Sequence, residues 1–374
     1  MVIKNLKIVT ENVIIENAYI DFDSHINKIG VNYKDDSALD GAGFILMPGF
    51  IDVHIHGSMG IDFMDAEVPD YTTIANSLYK EGVTSFLATT LTSDHESMLN
   101  VCRKVKEAKK NVPSLLGIHF EGPYINSKYK GAQNEKFIRK ASIEELDAYI
   151  EASGNNVRYI TLAPEVSGTM DFISYASSKG ITLSAGHSDA SFDDITLAIT
   201  KGLTNTTHTH NAMSPHHHRN PGIVSAAMYY DSLYPELIAD TIHVCKNTIK
   251  TFYKIVGSDR LIIITDALKG KHSSLDKFEL FGLPVIKRDG AAYLESGPLA
   301  GSLLSMDQGL RNIRDTIENI SLIDLAKITS RNAAKSLHVD SRIGSIKEGL
   351  EADFVLLNNN LEVVSTYKGG RKVK

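Results

Sequence analysis

Six residues have side chains that could do chemistry together: His54 and His56, Glu121, His187, His208 and Asp266. Each falls at or just past the end of a short apolar run. His54 and His56 are two apart in the run 50–56, and residues two apart on a strand project to one face. Taken singly, each has an ordinary explanation. A His-x-His pair is often only polar sequence, and His187 after Ser184-Ala185-Gly186 could be a hydrogen-bonded core histidine. Glu121 before Gly122-Pro123 could cap a turn, and Asp266 could cap a helix, where Asp is favoured. Recurrence at successive strand ends sets the group apart from chance. Four imidazoles and two carboxylates brought to one mouth match a divalent transition-metal site, with imidazole suited to zinc or iron and a carboxylate able to bridge two ions.

The elements that would position them can be read from the spacing of apolar residues. Eight short runs, 50–56, 84–89, 115–120, 157–162, 181–185, 205–208, 236–239 and 261–265, alternate with amphipathic stretches such as 71–80, 96–109, 143–152, 170–178 and 192–200. Strand–helix alternation implies right-handed crossovers and a parallel sheet. Eight units over nearly 300 residues predict an α/β fold, a (β/α)8 barrel over 49–340, whose active site lies at the strand carboxyl ends. No Gly-x-Gly-x-x-Gly or phosphate-loop pattern follows a strand, which weighs against a dinucleotide fold. Both chain ends instead alternate in short β-like runs, and neither end can bury a core alone. Residues 1–48 and 341–374 are therefore expected to combine as one small β-sandwich domain.

Composition narrows the function. Lys+Arg total 39 against 45 Asp+Glu, a formal charge of −6, so nothing suggests a nucleic-acid or anionic-membrane partner. The 43% hydrophobic and 22% charged content is that of a globular chain rather than a disordered one. Cys102 and Cys245 cannot form a disulfide framework and read as small buried hydrophobes in a reducing compartment. Lys4 and Lys7 interrupt the first apolar stretch, so a signal-peptide core is absent and a cytoplasmic protein is expected.

Pro48-Gly49-Phe50-Ile51-Asp52-Val53-His54-Ile55-His56-Gly57 resembles the entry strand of the amidohydrolase superfamily, and 343–355, from Ile343-Gly344-Ser345 to Asp353-Phe354-Val355, resembles its closing motif. Six internal motifs narrow the likeness: His119-Phe120-Glu121-Gly122-Pro123, Ala185-Gly186-His187-Ser188, Thr207-His208-Thr209-His210-Asn211-Ala212-Met213, Ile238-Ala239-Asp240-Thr241-Ile242-His243-Val244, Ile264-Thr265-Asp266-Ala267 and Leu299-Ala300-Gly301-Ser302. In this order they resemble the N-acetylglucosamine-6-phosphate deacetylase family over nearly the whole chain. The resemblance implies hydrolysis of the acetamide of N-acetyl-D-glucosamine 6-phosphate to D-glucosamine 6-phosphate and acetate, a step of amino-sugar catabolism. It implies that Glu121, His187 and His208 hold the principal cation, and that His54 and His56 allow a second, with Glu121 bridging. Zinc or iron is expected, with manganese or cobalt as alternatives, one or two ions per subunit. Asp266 would be the general base and acid. Ala132, Gln133, Asn211, Ala212, Asp240, His243, Leu299, Ala300 and Gly301 match substrate-contact positions. Arg219 matches the family's phosphate arginine, supplied across a homodimer interface.

Some positions depart from the family pattern. Gln133 stands where many members have histidine, His210 replaces an aromatic residue, Thr241 replaces glycine, and Leu268-Lys269-Gly270 is atypical. These bear on which acyl sugar fits. N-acetylgalactosamine 6-phosphate or another N-acyl compound is the rival substrate. A non-catalytic binding protein on the same scaffold is the rival class, disfavoured because every ligand position is filled.

Overall fold

Parallel strands are covered on both faces, and the first three barrel strands, Phe50–Ile55, Val83–Thr90 and Leu115–Glu121, are buried at every position. The computed structural model describes residues 1–374 except 36 and 281. In it those strands are followed by Val157–Leu162, Thr182–Ala185, Leu203–Thr206, Tyr234–Ile238 and Ile262–Ile264, each parallel to its predecessor. Amphipathic helices lie between them, among them Asp70–Tyr79, His95–Ala108, Ile143–Ser153, Thr169–Ser178 and Phe192–Lys201. Their starts are marked chemically. Asp94 and Ser142 accept hydrogen bonds from Ser97 and Glu145 backbone N–H groups, and Ser191 with Asp194 forms a capping box.

The barrel closes where the chemistry lies. Among the described residues no continuous ladder joins Ile262–Ile264 to Phe50–Ile55, and the seam is made at their carboxyl ends. Asp266 N–H donates to His54 O at 2.8 Å, and His56 N–H donates to Ala267 O at 2.9 Å. Below this, Thr265 Oγ1 donates to Asp52 Oδ2 at 2.6 Å. Burial pushes the Asp52 carboxyl up to about 6, against the opposing pull of Lys271 and Thr265.

The two termini do combine. Val2–Val9, Ile14–Phe22, Ile26–Val31, Leu39–Asp40 and Ile45–Pro48 share one mixed sheet with Phe354–Leu357, Val363–Lys368 and Arg371–Lys372. The join is antiparallel, Ile45–Pro48 on Phe354–Leu357. Phe22 and Phe354 sit three strand steps apart, about 14 Å in a flat sheet, yet their ring centroids are 5.0 Å apart. The sheet therefore doubles over and encloses its own core of Ile8, Ile20, Phe22, Leu46, Phe354 and Tyr367.

Two features differ from the sequence reading. A four-stranded antiparallel sheet, Lys277–Leu280, Leu283–Arg288, Ala291–Leu294 and Leu299–Gly301, lies between the last barrel strand and helix Met306–Thr316. Cys102 is buried as expected, but Cys245 is exposed. It precedes helix Lys246–Val256, outside the packed face, where its sulfur meets Thr248 Oγ1 at 3.3 Å. No helix among the described residues is long and apolar enough to cross a membrane.

Candidate metal centre and active site

Each proposed ligand leaves the barrel at a strand end. His54 lies in the first strand with His56 just after it, and Glu121 closes the third; His187, His208 and Asp266 each come two residues after the fifth, sixth and eighth. Those last three have φ of 49°, 32° and 47°. The left-handed region is unfavourable for non-glycine residues by about 1–2 kcal/mol each. Such strain persists only where surrounding structure fixes it, as at functional sites. Gly186 lets His187 take its place, since a Cβ there would lie 2.7 Å from Thr207 Cβ and 2.9 Å from Thr161 Cγ2.

The ring orientations decide what the site can hold. His187 Nδ1 donates to Tyr129 O at 2.9 Å, and His208 Nδ1 donates to Asn211 O at 3.1 Å. A neutral ring donating through Nδ1 presents a bare lone pair at Nε2. The two Nε2 atoms lie 3.1 Å apart, and Glu121 Oε1 lies 3.0 and 3.1 Å from them. Three acceptors thus face one point. Ligands about 2.0–2.1 Å from a tetrahedral zinc stand about 3.3 Å from one another. The donor set and spacing therefore fit a divalent cation.

A second group repeats the pattern. His54 Nε2 and His56 Nε2 are 3.3 Å apart, with Asp266 Oδ1 3.5 and 3.2 Å from them. His54 Nδ1 faces Glu236 Oε2 at 3.3 Å, the carboxylate–histidine arrangement that fixes a metal-ligand tautomer. Glu121 links the two groups, its Oε1 3.4 Å from His54 Nε2 and its Oε2 3.3 Å from His56 Nε2. All six of these residues are buried. Burial opposes charge on the two histidines, but the Asp266 and Glu121 carboxylates carry His54 well above its ordinary value and His56 up to about 9. Burial likewise opposes ionisation of Glu121, and the surrounding histidines hold its carboxyl well below the usual range. A field this favourable to positive charge suits two cations bridged by Glu121.

Above the ligands lies a cavity of about 310 Å³, bordered by His56, Glu121, His187, His208 and Asp266. Ala132, Gln133, Asn211, Ala212, His243, Leu299, Ala300 and Gly301 also line it. Asp240 stands behind that wall. Its Oδ1 accepts from the Ile242 and His243 N–H groups at 2.8 Å, and its Oδ2 meets His243 Nδ1 at 2.6 Å, so it orients His243. Arg219 borders a different cavity of about 540 Å³, which shares Tyr129 with the first. His210 packs edge-on to Phe252 at 4.7 Å and lines neither cavity; burial pulls its ring down to about 4.

The residues beneath the ligands were missed. Glu236 is fully buried and accepts from Tyr159 O–H as well as from the His208 N–H at 3.2 Å. His119 is held between Val53 O at 3.0 Å and Thr161 Oγ1 at 2.8 Å, with its ring against His54. A carboxylate inside an otherwise apolar strand, Tyr234–Ile238, was the available signal for Glu236.

The amidohydrolase family model matches residues 45–373. A curated N-acetylglucosamine-6-phosphate deacetylase from Bacillus subtilis (strain 168) is 37% identical over 377 residues, covering 98% of this chain and 95% of that one. The chain belongs to the amidohydrolase family. Within this family, the crystal structure of N-acetylglucosamine-6-phosphate deacetylase from Thermotoga maritima superposes with a TM-score of 0.91 at 34% identity, covering 100% and 99% of the two chains. The D267A mutant of the Mycobacterium smegmatis deacetylase, in complex with N-acetyl-D-glucosamine-6-phosphate, gives 0.92 at 25% identity and covers 100% and 99%.

Proposed function

We infer that this amidohydrolase removes the acetyl group of N-acetyl-D-glucosamine 6-phosphate, releasing acetate and D-glucosamine 6-phosphate. The observation that carries the reading is the convergence of Glu121, His187 and His208 on one point, with Asp266 beside it. Glu121, His187 and His208 would hold one divalent cation, and His54, His56 and Asp266, with Glu121 between, a second; zinc or iron suits their nitrogen-rich donors. A cation bound there would polarise the amide carbonyl and bring the pKa of a bound water toward neutrality.

Asp266 borders the cavity with its carboxyl held below the usual range, because the His54 and His56 charges outweigh burial. It is therefore ionised near neutral pH, the form a proton acceptor needs. It takes the proton from the attacking water as the C–O bond forms, then returns it to the sugar nitrogen as the C–N bond breaks, since an amide nitrogen leaves only when protonated. Its backbone is pinned on both sides, N–H to His54 O at 2.8 Å and its carbonyl accepting from Ser302 N–H at 2.9 Å. His243, oriented by Asp240, would hydrogen-bond a sugar hydroxyl. Ala132, Gln133 and the Leu299–Gly301 strand enclose the sugar.

The phosphate would lie at Asn211 and Ala212, met by Arg219 from the second subunit of a homodimer. Guanidinium suits phosphate through paired parallel hydrogen bonds. Support comes from the placement of Arg219 outside its own chain's cavity. The two free cysteines fit a cytoplasmic setting. Acetate release compared between the phosphorylated sugar, its galacto epimer and both unphosphorylated forms tests the reading. The gluco phosphate should turn over fastest, and equal rates without phosphate would remove Arg219 from its role.

A further inference from the structure

The two oxygens of Glu121 have different surroundings. Oε1 faces His187 and His208 at 3.0 and 3.1 Å, whereas Oε2 faces His56 Nε2 at 3.3 Å and takes a hydrogen bond from Gln133 Nε2 at 2.6 Å. Gln133 is buried, at 4% exposure. Its amide has one orientation only, because its Oε1 accepts from the Thr92 backbone N–H at 2.7 Å. Turned over, it would set oxygen against oxygen and N–H against N–H. Gln133 therefore always offers Glu121 a donor, and a neutral one.

A carboxylate oxygen has two lone-pair directions. With one on Gln133, Oε2 is held toward His56 Nε2 with the other direction open, while Oε1 stays 3.4 Å from His54 Nε2. Without that donor the carboxylate is free to turn about its terminal torsion, which is broad, and both oxygens can collapse on His187 and His208. A cationic side chain at the same place would occupy Oε2 and repel a neighbouring ion. We propose that Gln133 is a positioning residue that holds Glu121 in its bridging pose and so sets whether the His54–His56–Asp266 group fills with metal. This rests on the reading of the two groups as cation sites.

The test is a zinc titration of the metal-stripped full-length protein in a chelator-buffered series, resolving the first and second equivalents. Gln133→Leu removes the donor. Gln133→Met keeps the side-chain length and the neutrality but likewise removes the donor. The wild type should bind two equivalents. Both variants should keep first-site affinity to within about threefold and lose about 10- to 100-fold at the second, the usual effect of removing an outer partner of a metal ligand. Wild-type affinity at both sites in either variant overturns the proposal, as does equal loss at both. A wild type that takes up fewer than two equivalents overturns the two-site reading itself, and with it the role of Gln133.

Discussion

His187 Nε2 and His208 Nε2 face each other at 3.1 Å, each ring committed at its other nitrogen to a backbone carbonyl. Two imidazole lone pairs do not approach this closely without something positive between or beside them. The Glu121 carboxylate, 3.0 and 3.1 Å away, supplies a third acceptor rather than a proton.

Asp266→Asn removes the proton carrier and leaves the cavity wall intact. Turnover should fall by about 10²- to 10⁴-fold, the usual contribution of a positioned acid or base. Substrate affinity, followed by calorimetry on the inactive variant, should change little. Near wild-type turnover would show that the proton travels by another route.

Glu236 fixes the His54 tautomer from below while accepting from Tyr159 and from the His208 backbone. Glu236→Gln replaces one acceptor with a donor at a fully buried position. Metal content should drop chiefly at the His54–His56 group, with affinity there weakened about 10- to 100-fold. Tyr159→Phe should do less, since Glu236 keeps its other partners. Unchanged metal binding in Glu236→Gln would demote it to packing.

If Arg219 crosses to a neighbouring subunit, Arg219→Gln should raise KM for the phosphorylated sugar about tenfold or more while sparing kcat, the loss expected of a charge-assisted contact. Mixing Arg219→Gln with Asp266→Asn subunits should then restore activity. One site in such a mixed dimer has its own Asp266 and the neighbour's intact arginine. No restoration, with both variants shown to exchange subunits, would place Arg219 in its own chain's site or outside it.

Away from the site, Glu81 and Lys271 form a buried pair at 2.9 Å that ties the segment after Asp266 to the start of helix Met306–Thr316, where Met306 N–H donates to Glu81 at 2.9 Å. Burial would raise the Glu81 carboxyl, but Lys271 and His272 hold it below its ordinary value. A depressed folded-state pKa adds stability above the unfolded value of about 4.3 and loses it as pH falls through the folded one. Denaturant unfolding of the metal-stripped protein should therefore show Glu81→Gln less stable than wild type at pH 7, by about 3–5 kcal/mol for a broken buried pair. The gap should close below pH 4. A gap constant with pH would mean that the pair contributes only through shape.

The positions of the ligands were legible because strand ends are marked in sequence. Runs such as Thr84 to Thr89 stop abruptly; Glu121, His187, His208 and Asp266 fall at or just past such stops, and His54 and His56 near the end of the first run. The helices were legible from apolar spacing and from caps such as Ser191 with Asp194. Residues whose roles depend on distant partners were not. Glu236 meets His54 across 182 positions, and the left-handed φ of His187, His208 and Asp266 leaves no trace in residue type. Strand Leu283–Arg288 escaped because charged and apolar residues are mixed on both faces, and Lys277–Leu280 because its alternation lasts only four residues. Gln133 lines the cavity, and its amide is also engaged by Glu121 and Thr92, partners 12 and 41 positions away that no local pattern marks.

The most direct measurement is acetate release from N-acetyl-D-glucosamine 6-phosphate by protein stripped of metal with a chelator, then resupplied with zinc, iron, manganese or cobalt. Activity should vanish on stripping and return with at least one of these ions, and His187→Ala or His208→Ala should neither retain the ion nor regain the rate. Full turnover by protein shown to be metal-free would contradict the account at its centre.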